Sequence, residues 1–188
     1  MSPVRLRVVS SDRLFSCYVG LHRSDASSLF DSLGAARHFC RALRLEGTGP
    51  RGPRGQSNSS ASRMFVGWSG NETLAAGTVE IARAFAACLG LEDGQMVLGT
   101  GVAEAPIAQS VMVQPYSSDD WEVVEMQAGF LEERLLAQMG VLAPGLAFPV
   151  WINEGQLPVK LRVDAKDSNR AECFLLGRDS ELHVEARS

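Results

Sequence analysis

"GLEDGQMV", residues 90–97, is the stretch whose reading decides the fold. Upstream of it, "TVEIARAFAACLG" (78–90) places Val79, Ala82, Phe85, Ala86 and Leu89 on one helical face. The spacing predicts a helix that Gly90 ends in a left-handed conformation most side chains resist. Downstream, "QMVLGTG" reads as a strand through Met96, Val97 and Leu98, with Gly94 supplying the turn's unusual dihedral. The order is helix, turn, strand. A phosphate-cradling loop needs a strand that leads through glycines into a helix, so that free amides and the positive dipole end face the anion. Glu92 and Asp93 would also repel that anion. Both acids are therefore expected in a structural turn, and Gly99 with Gly101, followed soon by Pro106, makes no nucleotide fingerprint.

Working outward, 188 residues with 45% apolar and 21% charged side chains describe a chain that can bury its own core. A net charge of −4, with Lys160 and Lys166 the only lysines, argues against nucleic acid as a partner, because phosphate backbones reward clustered cations. Cys17, Cys40, Cys88 and Cys173 form no C-x-x-C pair and read as buried free thiols. No apolar run reaches the ~18 residues that span a bilayer, and "MSPVRLRVVSSDR" lacks a signal-peptide core. A cytosolic or nuclear setting is expected, which leaves the glycosylation triplets at Asn58 and Asn71 as chance matches.

Along the chain, "VRLRVVSSDRLFSCYVGL" (4–21) alternates around Ser-Ser-Asp and predicts a hairpin with Val4, Leu6 and Val8 on one face. Residues 24–45 carry Leu29, Leu33, Ala36, Phe39 and Leu43 at helical spacing behind Ser24 as N-cap, with Gly34 as a weak point, and predict one or two helical segments. Residues 46–63, rich in Gly, Pro and Ser, predict a disordered insertion. Met64–Trp68 and Ser110–Tyr116 read as strands. Then Ser117 or Ser118 caps a helix with Asp119, Asp120 and Glu122 in its first turn and Trp121, Val124, Ala128, Leu131 and Leu135 as its stripe, broken at Gly129. "LAFPVWI", "LPVKLRVDA" and "AECFLLGRDSELHVEA" return to strands, the last with a hairpin turn at Gly177–Ser180. Two β-rich lobes, each with a helix, are expected to join near "GVAEAPIAQ" (101–109).

Chemistry is sparse. His22, His38 and His183 have no metal-ligand spacing, and Ser10 and Ser11 lack the elbow that presents a nucleophile. The adjacent acid pairs Glu92/Asp93 and Asp119/Asp120 suit turns and caps better than catalysis, since neighbouring side chains diverge. Trp68, Trp121 and Trp151 fall within apolar stripes and read as core. No catalytic, cofactor-binding or metal residue is assigned.

From Met64 to Ser188 the chain resembles the N-terminal domain of the peroxisome biogenesis factor 1 family of AAA ATPases. The resemblance is carried in order by "FVGW" (65–68), "VEIARAFAACLGLEDGQMV" (79–97), "VMVQPYSSDDWEVVEMQAGFLEERLLAQ" (111–138) and "AFPVWI" (147–152). Residues 1–63 follow the pattern less closely. That domain is similar in turn to the N domain of valosin-containing protein. The resemblance implies a mainly β fold with helices (α+β): a double-psi β-barrel lobe over 1–104, then a smaller β-barrel lobe over 105–188. It implies a recruiting module that takes a protein adaptor or substrate in the groove between its lobes, at contact residues the sequence does not name. In the family the ATPase assembles with peroxisome biogenesis factor 6 and recycles the import receptor at the cytosolic face of the peroxisomal membrane. ATP and magnesium belong to modules this chain lacks, since it contains no G-x-x-x-x-G-K-[ST]. A phosphoinositide lipid is a lesser partner, disfavoured by the low lysine content. The alternatives are a valosin-containing-protein-like domain in ubiquitin-dependent extraction, a free-standing binding module, and an enzyme on the same barrel, which fold analogy alone supports.

Overall fold

The computed structural model describes residues 2–34, 38–47, 63–152, 157–164 and 171–185. Strands β1 (Val4–Ser11), β2 (Gly20–Leu21), β3 (Arg41–Gly47), β4 (Arg63–Trp68), β5 (Thr78–Ala82) and β6 (Met96–Gly101) form a sheet in the order β2-β5-β1-β6-β3-β4. On β1 the alternation of the sequence is the pleat itself: Leu6 and Val8 are fully buried while Arg5 and Arg7 face out. The sheet curls until its two edges meet. Tyr18, just before β2, bridges to Gly67 of β4, and the Val19 N–H donates to the Gly67 carbonyl at 2.8 Å. This contact joins the edge strands and removes the open margins that an unclosed sheet would expose.

Helix α1 (Arg23–Phe30) covers one part of this lobe and α2 (Arg83–Leu89) another. Gly90 ends α2 at φ 68° and ψ 28°, donating to Ala86 and Ala87. The turn that follows is stitched to β1: Gly94 at φ 80° donates to the Val8 carbonyl at 2.8 Å, Val8 donates to Gln95 at 2.8 Å, and Asp93 Oδ1 accepts the Ser10 N–H at 2.7 Å. Asp12 and Arg83 pair through two contacts of 2.5 and 2.8 Å at the start of α2.

The second lobe holds β7 (Ile107–Pro115), α3 (Ser118–Met126), α4 (Ala128–Gln138), β8 (Val141–Leu142), β9 (Ala147–Ile152), β10 (Leu157–Val163) and β11 (Phe174–Val184). Its sheet runs β8-β11-β7-β10-β9, with β7 and β11 parallel. A full capping box starts α3: Ser117 Oγ accepts the Asp120 N–H at 3.1 Å, and Asp120 Oδ2 accepts the Ser117 N–H at 3.1 Å. The molecule is thus mainly β with helices, in two β-barrel lobes.

Several expectations change. The opening strand forms no hairpin; β1 pairs with β5 in parallel and β6 antiparallel, neither next to it in sequence. Of the one or two helical segments expected over 24–45, the described residues hold α1, extended by a 3-10 turn at Asp31–Leu33 that ends at Gly34, the expected weak point; the N-cap is His22 rather than Ser24, its Nδ1 accepting the Ser24 N–H. Leu43 and Leu45 instead alternate along β3, both fully buried, and Phe39 is 46% exposed; Ala36 lies outside the described residues. The helix expected over 78–90 begins only at Arg83, because Val79 and Ile81 point into the barrel from β5. Of the insertion at 46–63, Glu46, Gly47 and Arg63 belong to strand ends, with Glu46 opposite Arg63, and 48–62 lie outside the described residues. Strand β7 starts at Ile107, three residues before the expected Ser110. The break after α3 falls at Gln127 rather than Gly129, and Ala128 of the supposed stripe is exposed. Residues 177–180 do not turn the chain back; they form a bulge, with Ser180 Oγ accepting the Gly177 N–H and donating to the Ala108 carbonyl.

Candidate functional site

The two lobes share the main apolar core, with α2 packed against β9, and near the connector a second, smaller cluster sets Tyr18, Cys40, Ala42 and Phe65 of the first against Val141, Cys173 and Leu175 of the second. Polar ties cross the same seam. Tyr18 Oη donates to Leu136 O at 2.7 Å, the Cys17 N–H to Gln138 O at 2.7 Å, and Arg63 Nη1 meets Glu172 Oε1 at 2.5 Å near the surface. Gly140 sits where side chains of the first lobe press against the second, since a Cβ there would lie 2.6 Å from Cys40 Sγ and 2.8 Å from Tyr18 Oη.

Around the connector 102–106 the seam opens into clefts. One, of about 290 Å³, lies between Arg44, Phe65 and Thr100 on one wall and Glu172 and Cys173 on the other. On the opposite side a cleft of about 690 Å³ is lined by Leu33, His38, Arg41, Glu104 and Leu175. His38 also lines a neighbouring hollow of about 520 Å³ together with Phe39, Ile107 and Arg178. Two features mark this surface as unfinished. Phe39 and Ile107 stand 46% and 58% exposed, unusual for such side chains on a rigid strand or its entry. His38 Nδ1 accepts the Cys40 N–H at 3.3 Å, so the neutral ring carries its proton on Nε2, an atom buried without a partner among the described residues. Arg41 is committed: it donates to the carbonyls of Gly34 and Phe30 and lies over the Phe30 ring.

The residues weighed for chemistry are scattered. His22 caps α1, and His183 lies 3.4 Å from Glu181 on β11. Ser10 donates to Asp93 from its main chain, and Ser11 Oγ accepts from Arg13. Glu92 and Asp93 occupy the turn after α2, while Asp120 serves the capping box and also accepts the Lys160 N–H at 3.1 Å. Trp151 is buried, Trp121 partly so, and Trp68 stacks on Phe30 at 5.4 Å while donating to Asn71 O. Among the described residues no three His, Cys, Asp or Glu side chains converge, and no helix is long and apolar enough to cross a membrane.

The four thiols are free. Burial pushes Cys40 up to about 12, and burial together with the Glu172 charge pushes Cys173 up to about 11. Cys17 is raised by burial and then by Cys88, and its Sγ donates to Pro149 O at 3.3 Å; burial also raises Cys88 against the opposing pull of Lys160. In the unfolded chain these groups ionise in the ordinary thiol range near 8.5. The stability they contribute is present below that range and is lost as pH climbs toward the folded values. Thiol titration at pH 8 is expected to label the native chain at least ~10-fold more slowly than the denatured one. Immediate labelling of Cys40 or Cys173 would contradict their placement in the seam.

Residues 109–186 match the family model described as peroxisome biogenesis factor 1, N-terminal. The chain is 35% identical over 109 residues to the peroxisomal ATPase PEX1 of Dictyostelium discoideum, an alignment covering 56% of this chain and 9% of that protein. It is 39% identical over 75 residues to the Homo sapiens peroxisomal ATPase PEX1, covering 40% and 6%. With the Arthrobotrys oligospora peroxisomal ATPase PEX1 it shares 27% identity over 191 aligned positions, covering 89% of this chain and 16% of the relative. The chain therefore spans a small fraction of these relatives, and the matched segment begins within β7 and takes in α3, α4 and every later strand. With two barrel lobes in series and these matches, the chain is similar to the N-terminal domain of the peroxisome biogenesis factor 1 family over residues 109–186.

Proposed function

We propose that this domain recruits a protein adaptor or substrate for a peroxisomal ATPase, holding it in the clefts between the lobes while modules outside this chain hydrolyse ATP. The observation that carries the proposal is the preformed seam cleft with Phe39 and Ile107 exposed beside a His38 Nε2 that has no partner among the described residues. Protein interfaces draw most of their affinity from a few side chains that become fully buried on binding, and Phe39 and Ile107 are placed to become such anchors. In this proposal the full-length ATPase assembles with peroxisome biogenesis factor 6 at the cytosolic face of the peroxisomal membrane and recycles the import receptor. This chain itself uses no cofactor, and a phosphoinositide lipid is at most a secondary ligand.

The test places Phe39→Asp and Ile107→Asp together in the full-length ATPase. ATP hydrolysis is expected to stay within about twofold of the parent, while receptor release from peroxisomes falls by about tenfold or more, the loss that removing about 1.4 kcal/mol of binding produces. Receptor release at the parental rate would refute recruitment through this cleft.

A further inference from the structure

The two margins of the second sheet are treated differently. At β9 the outer edge is closed by side chains: Gln138 Nε2 donates to Trp151 O at 2.9 Å, Gln138 Oε1 accepts the Trp151 N–H at 2.8 Å, and Cys17 Sγ donates to Pro149 O. One amide group thus stands in for a neighbouring strand. At the other margin β8 is two residues long and covers β11 only at Phe174 and Leu175, with the Leu176 N–H reaching Gly140 O at 3.0 Å. From there to Val184, β11 has β7 on one side and, among the described residues, no strand on the other.

The direction of its main-chain groups follows from one bond. The Glu185 N–H donates to Val113 O of β7 at 3.0 Å, and successive residues of a strand direct their polar groups to opposite sides. Those of Leu182 and Val184 therefore point to the open side. Helix α4 lies along that side before it runs into β8. Between helix and strand is a groove of about 390 Å³, walled by Leu135 and Leu136 of α4 and by Leu176 and Leu182 of β11, with Arg178, Glu181 and His183 at its rim. A strand edge beside a helix, with an apolar floor between them, is a geometry that captures extended chain.

We infer that this groove binds an extended segment of a partner protein, which adds to β11 as a further strand. A helical ligand has satisfied its own amides and would leave those of Leu182 and Val184 unmet; an extended one presents donors and acceptors at strand spacing. The Leu135, Leu136, Leu176 and Leu182 walls select apolar side chains at alternate positions of the segment. Arg178, exposed and without an ion pair among the described residues, selects a carboxylate at one end. Proline is excluded from the paired positions because it has no N–H to give. The groove is walled by α4 and β11 rather than by the connector, and it does not depend on the recruitment proposed for the seam cleft.

The test uses the 188-residue chain and a fluorescein-labelled synthetic heptapeptide of alternating valine and threonine that ends in glutamate, with amide hydrogen exchange as the second readout. Peptide binding is expected to slow exchange at Leu182 and Val184 by about tenfold or more. Leu182→Pro deletes one edge N–H while sparing the groups that face β7, and Leu136→Glu places a charge in the groove; each is expected to weaken binding at least ~10-fold. Phe39→Ala with Ile107→Ala removes the apolar pair of the seam without adding charge beside Arg178, which lines both hollows, and leaves this binding unchanged, which separates the two sites. Equal affinity for parent, Leu182→Pro and Leu136→Glu would overturn the inference. So would protection of Leu182 and Val184 that grows with the concentration of the chain alone, since a second copy would then be the occupant.

Discussion

Gly101→Ala is expected to destabilise the chain by about 3 kcal/mol and to lower its melting temperature by roughly 6–12 °C. Gly101 ends β6 beneath α1, and its φ is unexceptional, so the cost is one of space. A Cβ there would strike the Leu29 carbonyl, a backbone atom that cannot swing aside, with Leu33 Cδ1 and Phe30 Cδ1 each 3.1 Å away. Leu29 and Phe30 are themselves buried against the barrel, and Arg41 holds the Phe30 and Gly34 carbonyls at the end of α1. The helix must therefore lift as a unit or the strand must bend. Gly129 is the control: nothing lies within 4 Å of a Cβ placed there, and alanine at that helical site is expected to stabilise by about 0.5–1 kcal/mol. Thermal unfolding of both variants checks the pair, and a Gly101→Ala protein that melts with the parent would show that α1 does not lie across β6.

Gly140→Ala is expected to cost about 2–3 kcal/mol by a different route, through the seam between the lobes. The added methyl meets Cys40 Sγ at 2.6 Å and Tyr18 Oη at 2.8 Å. The tyrosine cannot retreat and keep its 2.7 Å hydrogen bond to Leu136 O. Cys40→Ala removes the sulfur that the methyl would meet, so the double variant should recover part of the loss, a coupling that distant sites do not show. Strict additivity of Gly140→Ala and Cys40→Ala would contradict the packing of these two residues across the seam.

The features legible in the sequence are those whose physics is local. Gly90 and Gly94 announced the end of α2 and the turn into β6 because a left-handed residue leaves its mark within a few positions. Ser117 and Asp120 announced α3 because a capping box is complete in four residues. The errors fall where distant contacts decide. Val79 matches a helical face as well as it matches alternate positions of β5, and only the parallel pairing of Val8 with Val79 settles the choice. Phe39 and Leu43 stand four apart and imitate a helix, yet Leu43 pairs with Val66 in one strand and Gly101 in another. The seam cleft was legible only through family resemblance. Its walls come from Leu33, from 38–41, from 102–108 and from 175–180, which share no motif, and Phe39, read at helical spacing, stands exposed in the hollow.

The most direct measurement is site-specific photo-crosslinking from the full-length ATPase on isolated peroxisomes, with the photoreactive side chain placed in turn at Ile107 and at Arg5 on the outer face of β1. Recruitment through the seam predicts a discrete protein adduct from position 107, lost when Phe39→Asp is present, and none from position 5. Adducts from position 5 with none from position 107 would contradict it, and would move the recruiting surface from the junction of the lobes to the wall of the first barrel.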